Sequence, residues 1–328
     1  MYPAKMVNER LPYGTPIFFE GEYKEDKLYN LYIATFSCSF KLKKGKIPSI
    51  QIKNNLSYVP NEFIETTEGD IVTLTLTSID IKLMFENYEV NDLIWHNGFK
   101  FKSVKGLFTN YVEYWTAKKI KAKKEENGAL YLIAKLMLNS LYGKFGLNPN
   151  VRGKYPTLDE NGVLKYKFYD AEIRNSIYVP VASFITAYAR YDIITSCEKI
   201  REYSVEKYGV DLYVYSDTDS IHCLLSNKDI DELSKILDID DYKLGYWKLE
   251  STFKRGKYLR QKCYIEEDDE KIHTTIAGLP KKLGHLITFD NFQEGLEVKA
   301  DGSRKENKLR YKQVKGGVIL VETDFTIK

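Results

Sequence analysis

Several features that define other classes of protein are missing from this sequence or scarce in it. Only four cysteines are present, none forms a C-x-x-C pair and their spacing fits no zinc module: Cys38, Cys197, Cys223 and Cys263. Isolated thiols of this kind are typical of buried cysteines in a reducing cytosol. The longest stretch without a charged residue, 175–189, covers 15 residues and is too short to span a bilayer. The first residues do not resemble a signal peptide, so we expect a protein that is neither secreted nor membrane-bound.

An excess of charge of one sign is also lacking. Lysine and arginine number 49 against 46 acidic residues, and a net charge of +3 is too small to indicate nucleic-acid binding by itself. What is abundant is tyrosine, with 26 residues, which can fill a core but also offers a stacking face and a hydroxyl to nucleotides. The length of 328 residues predicts two domains, or one domain with insertions.

Periodicity predicts an α+β fold. Residues 1–27 have the turn-forming composition of an extended segment, and a helix is predicted from about 107 to 145, which Asn127-Gly128 can break. Ser78 is the expected N-cap of a short helix that runs to Tyr88. The other predicted helices cover 181–208 and 229–238. The predicted strands cover 35–42 and 47–53 around a turn at 43–46, then 71–77, 93–101, two strands within 146–174, 246–266 and 318–327.

The first chemical motif is the stretch from Tyr215 to Ser220, which reads Tyr-Ser-Asp-Thr-Asp-Ser. Apolar, alternating runs flank it on both sides, so the sequence predicts a hairpin with Asp217 and Asp219 at its tip. Two carboxylates at one rigid turn repel each other unless a cation lies between them, which predicts a divalent-metal site. The alternative is a solvated acidic turn, since an isolated D-x-D pattern is common.

The second motif covers residues 134–146. On a helix of about 100° per residue, Lys135, Asn139 and Tyr142 form a narrow polar stripe. The opposite, apolar side is expected to pack on the core: Leu130, Ile133, Leu136, Met137 and Leu141. A lysine for phosphate charge beside a tyrosine for stacking suits an incoming nucleoside triphosphate. The alternative is an ordinary surface helix with a lysine stripe.

The third motif covers residues 253–264, where five cations and three aromatic residues interleave. On a strand, Lys262 and Tyr264 would share one face, which suits a groove that follows a phosphodiester backbone. A solvated strand face explains a lone K-x-Y pattern equally well.

Together the three motifs supply what phosphoryl transfer on a polymer requires: acids for metal ions, a cation for the triphosphate and a track for the strand. The residue patterns of the three motifs resemble those of the polymerase half of family B DNA polymerases of the protein-primed bacteriophage type. The patterns are Lys-x-x-x-Asn-Ser-x-Tyr-Gly, Tyr-x-Asp-Thr-Asp-Ser and Lys-x-Tyr, in that order along the chain. A metal-dependent glycosyltransferase would also use an Asp-x-Asp turn, but it has no use for the other two motifs.

The resemblance implies a palm–fingers–thumb DNA polymerase core, with an antiparallel palm sheet and two insertions. The implied divisions are palm with the end of a first catalytic motif (1–8), an insertion that contacts a terminal protein primer (9–104), fingers (105–145), an insertion for processivity and strand displacement (146–178), palm (179–282) and thumb (283–328).

The resemblance also implies a role for each residue that matches a motif. Asp219 would bind two Mg²⁺ ions, for which Mn²⁺ can substitute, with Asp217 as the second carboxylate. Nucleotide contacts are implied for Lys135 at the triphosphate, Asn139 and Tyr142 at the nascent base pair, Tyr2 as a steric gate against ribonucleotides, and either Lys119 or Lys123 as a further phosphate ligand. Primer–template contacts are implied for Ser140, Gly143, Thr218, Lys254, Arg255, Lys262 and Tyr264.

One part of the family pattern does not match. The first catalytic motif reads Asp-x-x-Ser-Leu-Tyr-Pro, and only Tyr2-Pro3 correspond to it, so that its aspartate would lie four residues before Met1. The proofreading exonuclease domain also precedes the polymerase half in this family. Three explanations stay open: a split polymerase completed by an upstream chain, a truncated product, or a mis-called start. We therefore expect a viral DNA polymerase of the host cytoplasm or, as the alternative, a catalytically incomplete fragment or subunit that binds DNA and terminal protein and needs an upstream chain for the missing aspartate.

Overall fold

The computed structural model describes residues 1–53, 55–59, 62–160, 164–175, 177–240, 243–298, 309–314, 317–322 and 325–327. The chain forms two compact units. The first contains Met1–Leu147 and Ser176–Lys248, and the second contains Asn148–Asn175 and Leu249–Lys328. The chain combines α-helices with antiparallel strands, which confirms the predicted α+β class. Across the described residues, no helix is both long and apolar enough to cross a membrane.

The helices in chain order are α1 (Tyr2–Asn8), α2 (Ser78–Asn87), α3 (Thr109–Lys124), α4 (Gly128–Phe145), α5 (Pro180–Tyr208) and α6 (Ile230–Ile236), with 3₁₀ turns at Asn227–Asp229 and Lys281–Leu286. The strands of the first unit outside the insertion at 148–175 are β1 (Arg10–Glu20), β2 (Leu31–Leu42), β3 (Val72–Thr77), β4 (Tyr88–Lys105), and then β9 (Tyr213–Asp217) and β10 (Ser220–Cys223). Those of the second unit are β5 (Asn150–Val151), β6 (Lys154–Leu158), β7 (Leu164–Phe168), β8 (Glu172–Ile173), β11 (Arg255–Arg260), β12 (Cys263–Glu267), β13 (Ile272–Ile276), β14 (Glu297–Val298), β15 (Leu309–Val314), β16 (Gly317–Glu322) and β17 (Phe325–Thr326).

The largest sheet of the first unit has the antiparallel order β1-β4-β2-β3 and covers a core of aromatic and aliphatic side chains. Phe36 and Phe40 of β2 are buried against Met84 and Tyr88. The predicted strand 47–53 is wrong. That segment has no ladder partner, although Ile50 and Ile52 are buried, because apolar side chains alone do not specify a strand.

Two further details at the ends of helices differ from the sequence prediction. The N-cap of α2 is Thr77, not Ser78: the Thr77 hydroxyl accepts the Asp80 backbone N–H at 3.2 Å. Residues 2–8 form α1 where an extended segment was predicted. Pro3 lies in its first turn, where a missing N–H costs nothing, so the proline that indicated a turn in fact begins a helix.

The first unit is organised along α5, whose prediction as a helix over 181–208 is confirmed. A buried carboxylate joins this helix to the sheet region: Glu198 accepts hydrogen bonds from Lys46 Nζ at 2.8 Å, Ile47 N at 3.1 Å and Asn87 Nδ2 at 2.6 Å. At the C-terminal end, Gly209 has a φ of 71°, the left-handed conformation that ends many helices.

The segment predicted as one helix over 107–145 is a hairpin of two helices, α3 and α4, with the break at Asn127-Gly128. The Asn127 side chain accepts the Leu130 backbone N–H and so begins α4. The predicted apolar face is only partly correct, because Ile133 and Leu136 are 51% and 63% exposed. Helix α4 packs mainly on α3, so Ala134 and Leu138 are its buried residues and its other apolar side is left open.

The acidic hairpin of β9 and β10 is supported by a second buried carboxylate, in the 3₁₀ turn that follows it. Asp229 is fully buried and accepts hydrogen bonds from Tyr208 at 2.6 Å and from Tyr203 and Lys207 at 2.9 Å, all on α5. Both the Ser226 backbone N–H and its hydroxyl also donate to Asp229 at 2.9 Å. These bonds fix the chain that leaves β10 to the end of α5.

The second unit contains the three-stranded antiparallel sheet β11-β12-β13. Its core includes Cys263, Ile265 and Phe292. The predicted single strand over 246–266 is wrong in two places: residues 246–254 form no ladder, and residues 261 and 262 form a tight turn between β11 and β12. The hairpin predicted within 146–174 is confirmed as β6 and β7, while residues 161 and 162 of its predicted turn lie outside the described residues.

Candidate active site

The two acids of the first motif lie at a hairpin tip, as predicted. Ser220 pairs with Asp217, so Thr218 and Asp219 alone form the connection between β9 and β10. Thr218 has a φ of 52°, and the Asp219 N–H donates to the Asp217 carbonyl at 2.5 Å. A β-branched residue in this conformation is strained, and such strain persists where the surroundings hold the backbone in place. The turn therefore fixes the direction of the two carboxylates, and its backbone conformation costs roughly 1–3 kcal/mol.

The carboxylates differ in exposure. Asp217 is half-buried and accepts the Thr218 hydroxyl at 2.9 Å, whereas the Asp219 side chain is 60% exposed. Magnesium takes six oxygen ligands and keeps several waters, so two carboxylates two residues apart can supply part of its shell. Among the described residues no cluster of three or more His, Cys, Asp or Glu side chains could enclose a metal ion. The residues thus fit an open magnesium site, to which further oxygen atoms must contribute.

Tyr2 and Tyr142, which are 140 positions apart in the chain, meet beside the acidic turn. Their ring centroids are 4.0 Å apart with a 30° tilt. The amino nitrogen of Met1 lies 3.6 Å from Asp219 Oδ2, which places the start of α1 against the turn. Burial, followed by the neighbouring phenol of Tyr142 and the charge of Asp219, raises the pKa of Tyr2 to about 12, so its hydroxyl keeps its proton at neutral pH.

A polar ridge continues from this meeting point along α4. Tyr131, Lys135, Asn139 and Tyr142 follow one another at spacings of three and four residues, which puts them on one side of the helix, and Lys135 and Asn139 are exposed. Lys119 of α3 lies over the Tyr131 ring at 6.0 Å. This contact puts Lys119 next to the ridge.

The remaining candidates on the helical hairpin are Lys123, Ser140 and Gly143. Lys123 is exposed one turn closer to the end of α3 than Lys119. The Ser140 hydroxyl donates to the Met137 carbonyl at 3.5 Å. A Cβ added to Gly143 would meet no described atom within 4 Å. Since glycine inside a helix costs about 1 kcal/mol relative to alanine, packing gives no reason for Gly143, whereas close approach of a ligand would.

The candidates of the third motif lie in the second unit. The prediction that Lys262 and Tyr264 share one strand face is wrong. Lys262 lies in the tight turn before β12, with a φ of 54°. The Tyr264 ring stacks on Tyr258 with centroids 5.2 Å apart. Lys254 forms an ion pair with Asp269. Arg255 binds Glu267 at 2.5 Å and lies 4.1 Å from the centre of the Phe289 ring.

Sequence reasoning did not find Arg190, a cation of α5. Its guanidinium donates to Asp80 of α2, and its charge acts on Tyr2 to lower the phenol pKa, against the larger effect of burial. The sequence gives only a weak signal, because Arg190 is the first charge after the longest uncharged stretch of the chain, but α5 carries other cations and no local pattern distinguishes this one.

An acidic hairpin beside a tyrosine-bearing helix and a lysine ridge suits a divalent cation and a phosphorylated nucleotide. The chain belongs to the family of type B DNA polymerases described as organellar and viral, whose pattern matches residues 1–232. Among its relatives, the DNA polymerase of Bacillus phage phi29 is 42% identical and that of Streptococcus phage Cp-1 is 35% identical, each over 100% of this chain. The chain covers 56% and 55% of these two proteins, so it spans about half of their length.

Solved structures agree with this assignment. The phi29 DNA polymerase in complex with primer–template DNA and incoming nucleotide superposes with a TM-score of 0.82 at 40% identity, over 100% of this chain and 56% of that one. A second structure of that polymerase, with single-stranded DNA, gives a TM-score of 0.79 at 39% identity and the same coverage. The α+β DNA polymerase core predicted from the sequence is thereby confirmed.

Proposed function

We propose that this chain is the polymerase portion of a DNA-directed DNA polymerase, which adds deoxynucleotides to a primer 3′-hydroxyl on a DNA template. The observation that carries the proposal is the convergence of Tyr2, Tyr142 and Asp219 from three distant parts of the sequence. Membership of the family supports it, as does the structural likeness to a polymerase bound to primer–template and nucleotide. A solvated acidic turn would not require two aromatic rings stacked beside it.

In this proposal Asp217 and Asp219 hold two magnesium ions, for which manganese can substitute. The ions would supply Lewis acidity at the α-phosphate and lower the pKa of the primer hydroxyl. Lys135 of the ridge on α4 and Lys119 of α3 bind the triphosphate, and the position of Lys119 over Tyr131 favours it over Lys123. Tyr2 and Tyr142 occupy the space beside the sugar and base of the incoming nucleotide, where a neutral phenol provides a packing surface and a hydrogen bond.

We propose primer–template contacts in each of the two units separately. Ser140, Gly143 and Thr218 are proposed contacts near the acidic turn. In the second unit, Lys254, Arg255, Lys262 and Tyr264 are proposed contacts, and the first two would exchange acidic partners for phosphates. Residues 9–104 are the proposed contact for a terminal protein primer, and residues 146–178 the proposed element for processivity and strand displacement.

The relatives are almost twice as long as this chain, and the match lies in their C-terminal part. A chain that binds primer–template but performs chemistry only when an upstream segment completes it is the second form of the proposal.

Extension of a labelled primer on a DNA template tests the proposal. The assay uses the four deoxynucleotides with Mg²⁺ or Mn²⁺, and the chain is supplied alone and together with the upstream portion that its relatives carry. Extension in either format supports a polymerase, and extension only in the second identifies an incomplete site. Absence of extension in both, together with primer–template binding that does not weaken as salt is raised, would contradict the assignment.

Replacing Lys135 by glutamine should raise the KM for deoxynucleotides roughly tenfold while kcat changes little, because a lost charged hydrogen bond to phosphate is worth about 1.5–3 kcal/mol of mostly ground-state binding. Steady-state extension at varied nucleotide concentration measures this effect. Lys124→Gln is the matched control, since Lys124 is an exposed lysine at the far end of the same hairpin. Equal KM values for the two variants would remove Lys135 from the triphosphate site.

A further inference from the structure

Lys5, three residues after Tyr2 on α1, is a buried charge. The residue is only 7% exposed. Its ammonium forms an ion pair with Asp192 of α5 and lies 3.5 Å from Glu9 on its own helix. Burying an ammonium costs several kcal/mol unless it is paired with good geometry, so the position of Lys5 depends on Asp192.

Helix α1 is short, so its position depends on packing and on contacts such as this ion pair. It has seven residues and no side-chain hydrogen bond at its N-cap, and helices shorter than about 12 residues are marginal unless they are packed. Its own residues Ala4 and Met6 are buried in the first unit. On one side Gly245 approaches so closely that a Cβ there would lie 2.9 Å from the Ala4 Cβ. The Lys5–Asp192 pair is an ion pair between α1 and α5.

The pair bears on Tyr2 through helix geometry. Residues three apart lie on the same side of a helix, so Tyr2 and Lys5 project together, and a rotation of α1 that moved one would move the other. Tyr2 in turn stacks on Tyr142 of α4. The phenol is therefore held between two helices: α4 contacts the ring directly, and α5 fixes the rotation of α1 through Asp192.

We propose that Lys5 and Asp192 are positioning residues for Tyr2, and that they thereby set the preference for deoxyribonucleotides over ribonucleotides. The specificity part rests on the proposed function, in which Tyr2 lies against the sugar. The positioning part concerns this chain alone. A rival role is simple stabilisation of α1, in which case loss of the pair would lower the unfolding temperature without moving the Tyr2 ring in the folded protein.

The positioning part is tested without catalysis. A 3-fluorotyrosine is placed at position 2, and its ¹⁹F resonance is recorded in the otherwise unchanged chain, in Lys5→Met and in Asp192→Asn. Tyr142→Leu gives the resonance without stacking. We expect both pair variants to shift toward that reference while circular dichroism shows a folded protein. Lys5→Arg, which retains the charge, should stay close to the starting resonance.

A matched control is Lys100→Met, which removes a partly buried ion pair with Asp26 at 2.7 Å in the sheet region of the first unit and should leave the resonance unmoved. The positioning role is overturned if the resonance of folded Lys5→Met and Asp192→Asn coincides with that of the parent chain. If one variant does not fold, the other decides, because Asp192→Asn leaves Lys5 with Glu9 and Lys5→Met leaves a partly exposed Asp192.

The specificity part is then measured by single-nucleotide incorporation of a deoxynucleotide and the matching ribonucleotide. Because a displacement of about 1 Å can cost on the order of 100-fold, we expect the selectivity ratio to fall roughly tenfold in both pair variants. Tyr2→Val separates the possible failures. Unchanged selectivity in Tyr2→Val rejects the gate and hence the proposed role of Tyr2, whereas a loss in Tyr2→Val with none in Lys5→Met and Asp192→Asn rejects the positioning pair.

Discussion

Asp219→Asn is expected to lower nucleotide incorporation on the order of 1,000-fold or more, because a metal-held charge supplies several kcal/mol of transition-state stabilisation. Asparagine keeps the shape of the side chain and its hydrogen-bonding oxygen but removes the charge that a divalent cation requires. Asp219 is 60% exposed and hydrogen-bonds to its neighbours mainly through its backbone, so the turn should survive the change. Single-turnover extension, in the format in which the parent chain is active, measures the loss.

Two measurements make that result specific. Asp231→Asn, a change at an exposed acid on α6, should retain full activity. Primer–template binding by Asp219→Asn should be equal to that of the parent or tighter, because the substitution removes a negative charge from a site that faces phosphates. Incorporation by Asp219→Asn within a few-fold of the parent rate would mean that the acidic turn is not the metal site.

The second large effect is on stability. Asp229→Asn should lower the free energy of unfolding by about 3–5 kcal/mol, because the buried side chain loses its charge and one of its two accepting oxygens, and Lys207 is left with Glu232 alone as its acidic partner. The four side chains that donate to Asp229 come from α5 and from Ser226, so the loss affects the attachment of the whole strand β10. Urea unfolding followed by circular dichroism measures it as a lower midpoint with an unchanged slope. The same Asp231→Asn variant is the control and should unfold with the parent.

The sign of the pH dependence follows from the same contacts. Burial alone would raise the pKa of Asp229, but the hydrogen bonds from Tyr208, Lys207, Tyr203 and Ser226 outweigh it, so the pKa lies well below its usual value. A lowered pKa in the folded state contributes stability above the unfolded value of about 3.9, and this contribution disappears as the pH falls through the folded value. The difference in the free energy of unfolding between the parent and Asp229→Asn should therefore be constant from roughly pH 5 to about pH 7 and shrink below about pH 4. A difference that grew in acid would exclude this account.

How far the sequence predicts the structure depends on whether the determining interactions are local. Alternating apolar residues on both sides of Asp217 and Asp219 specify their hairpin, and α5 follows from its length and from Pro180. The position of Lys262 was predicted wrongly, because the side-chain alternation of a strand does not reveal a residue in the left-handed conformation. The turn is defined by the pairing of Arg260 with Cys263, which is known only from the structure. The turn composition around Pro3 concealed α1, because the contacts that hold this helix come from residues far along the chain.

The candidate site shows the same division. The motifs name Asp219, Lys135 and Tyr142, since each belongs to a short pattern with a chemical reason. Arg190 and Lys5 belong to no pattern. They matter because of what lies beside them after folding, namely Asp80 for the first and Asp192 for the second. Partner choice between remote charges is a property of tertiary structure, and composition carries no information about it.

The junction between α5 and the sheet region limits how this polymerase core could be shortened. Residues 9–104 form a contiguous segment that a protein engineer would consider for excision, to obtain a minimal enzyme. That deletion would take away Asp80, the partner of Arg190. It would also remove the three donors to the buried Glu198, which are Lys46, the Ile47 N–H and Asn87, so α5 would carry two charges that have lost these partners. The segment is therefore not a detachable module, and a compact variant would need both positions on α5 redesigned as apolar or mutually neutralising residues.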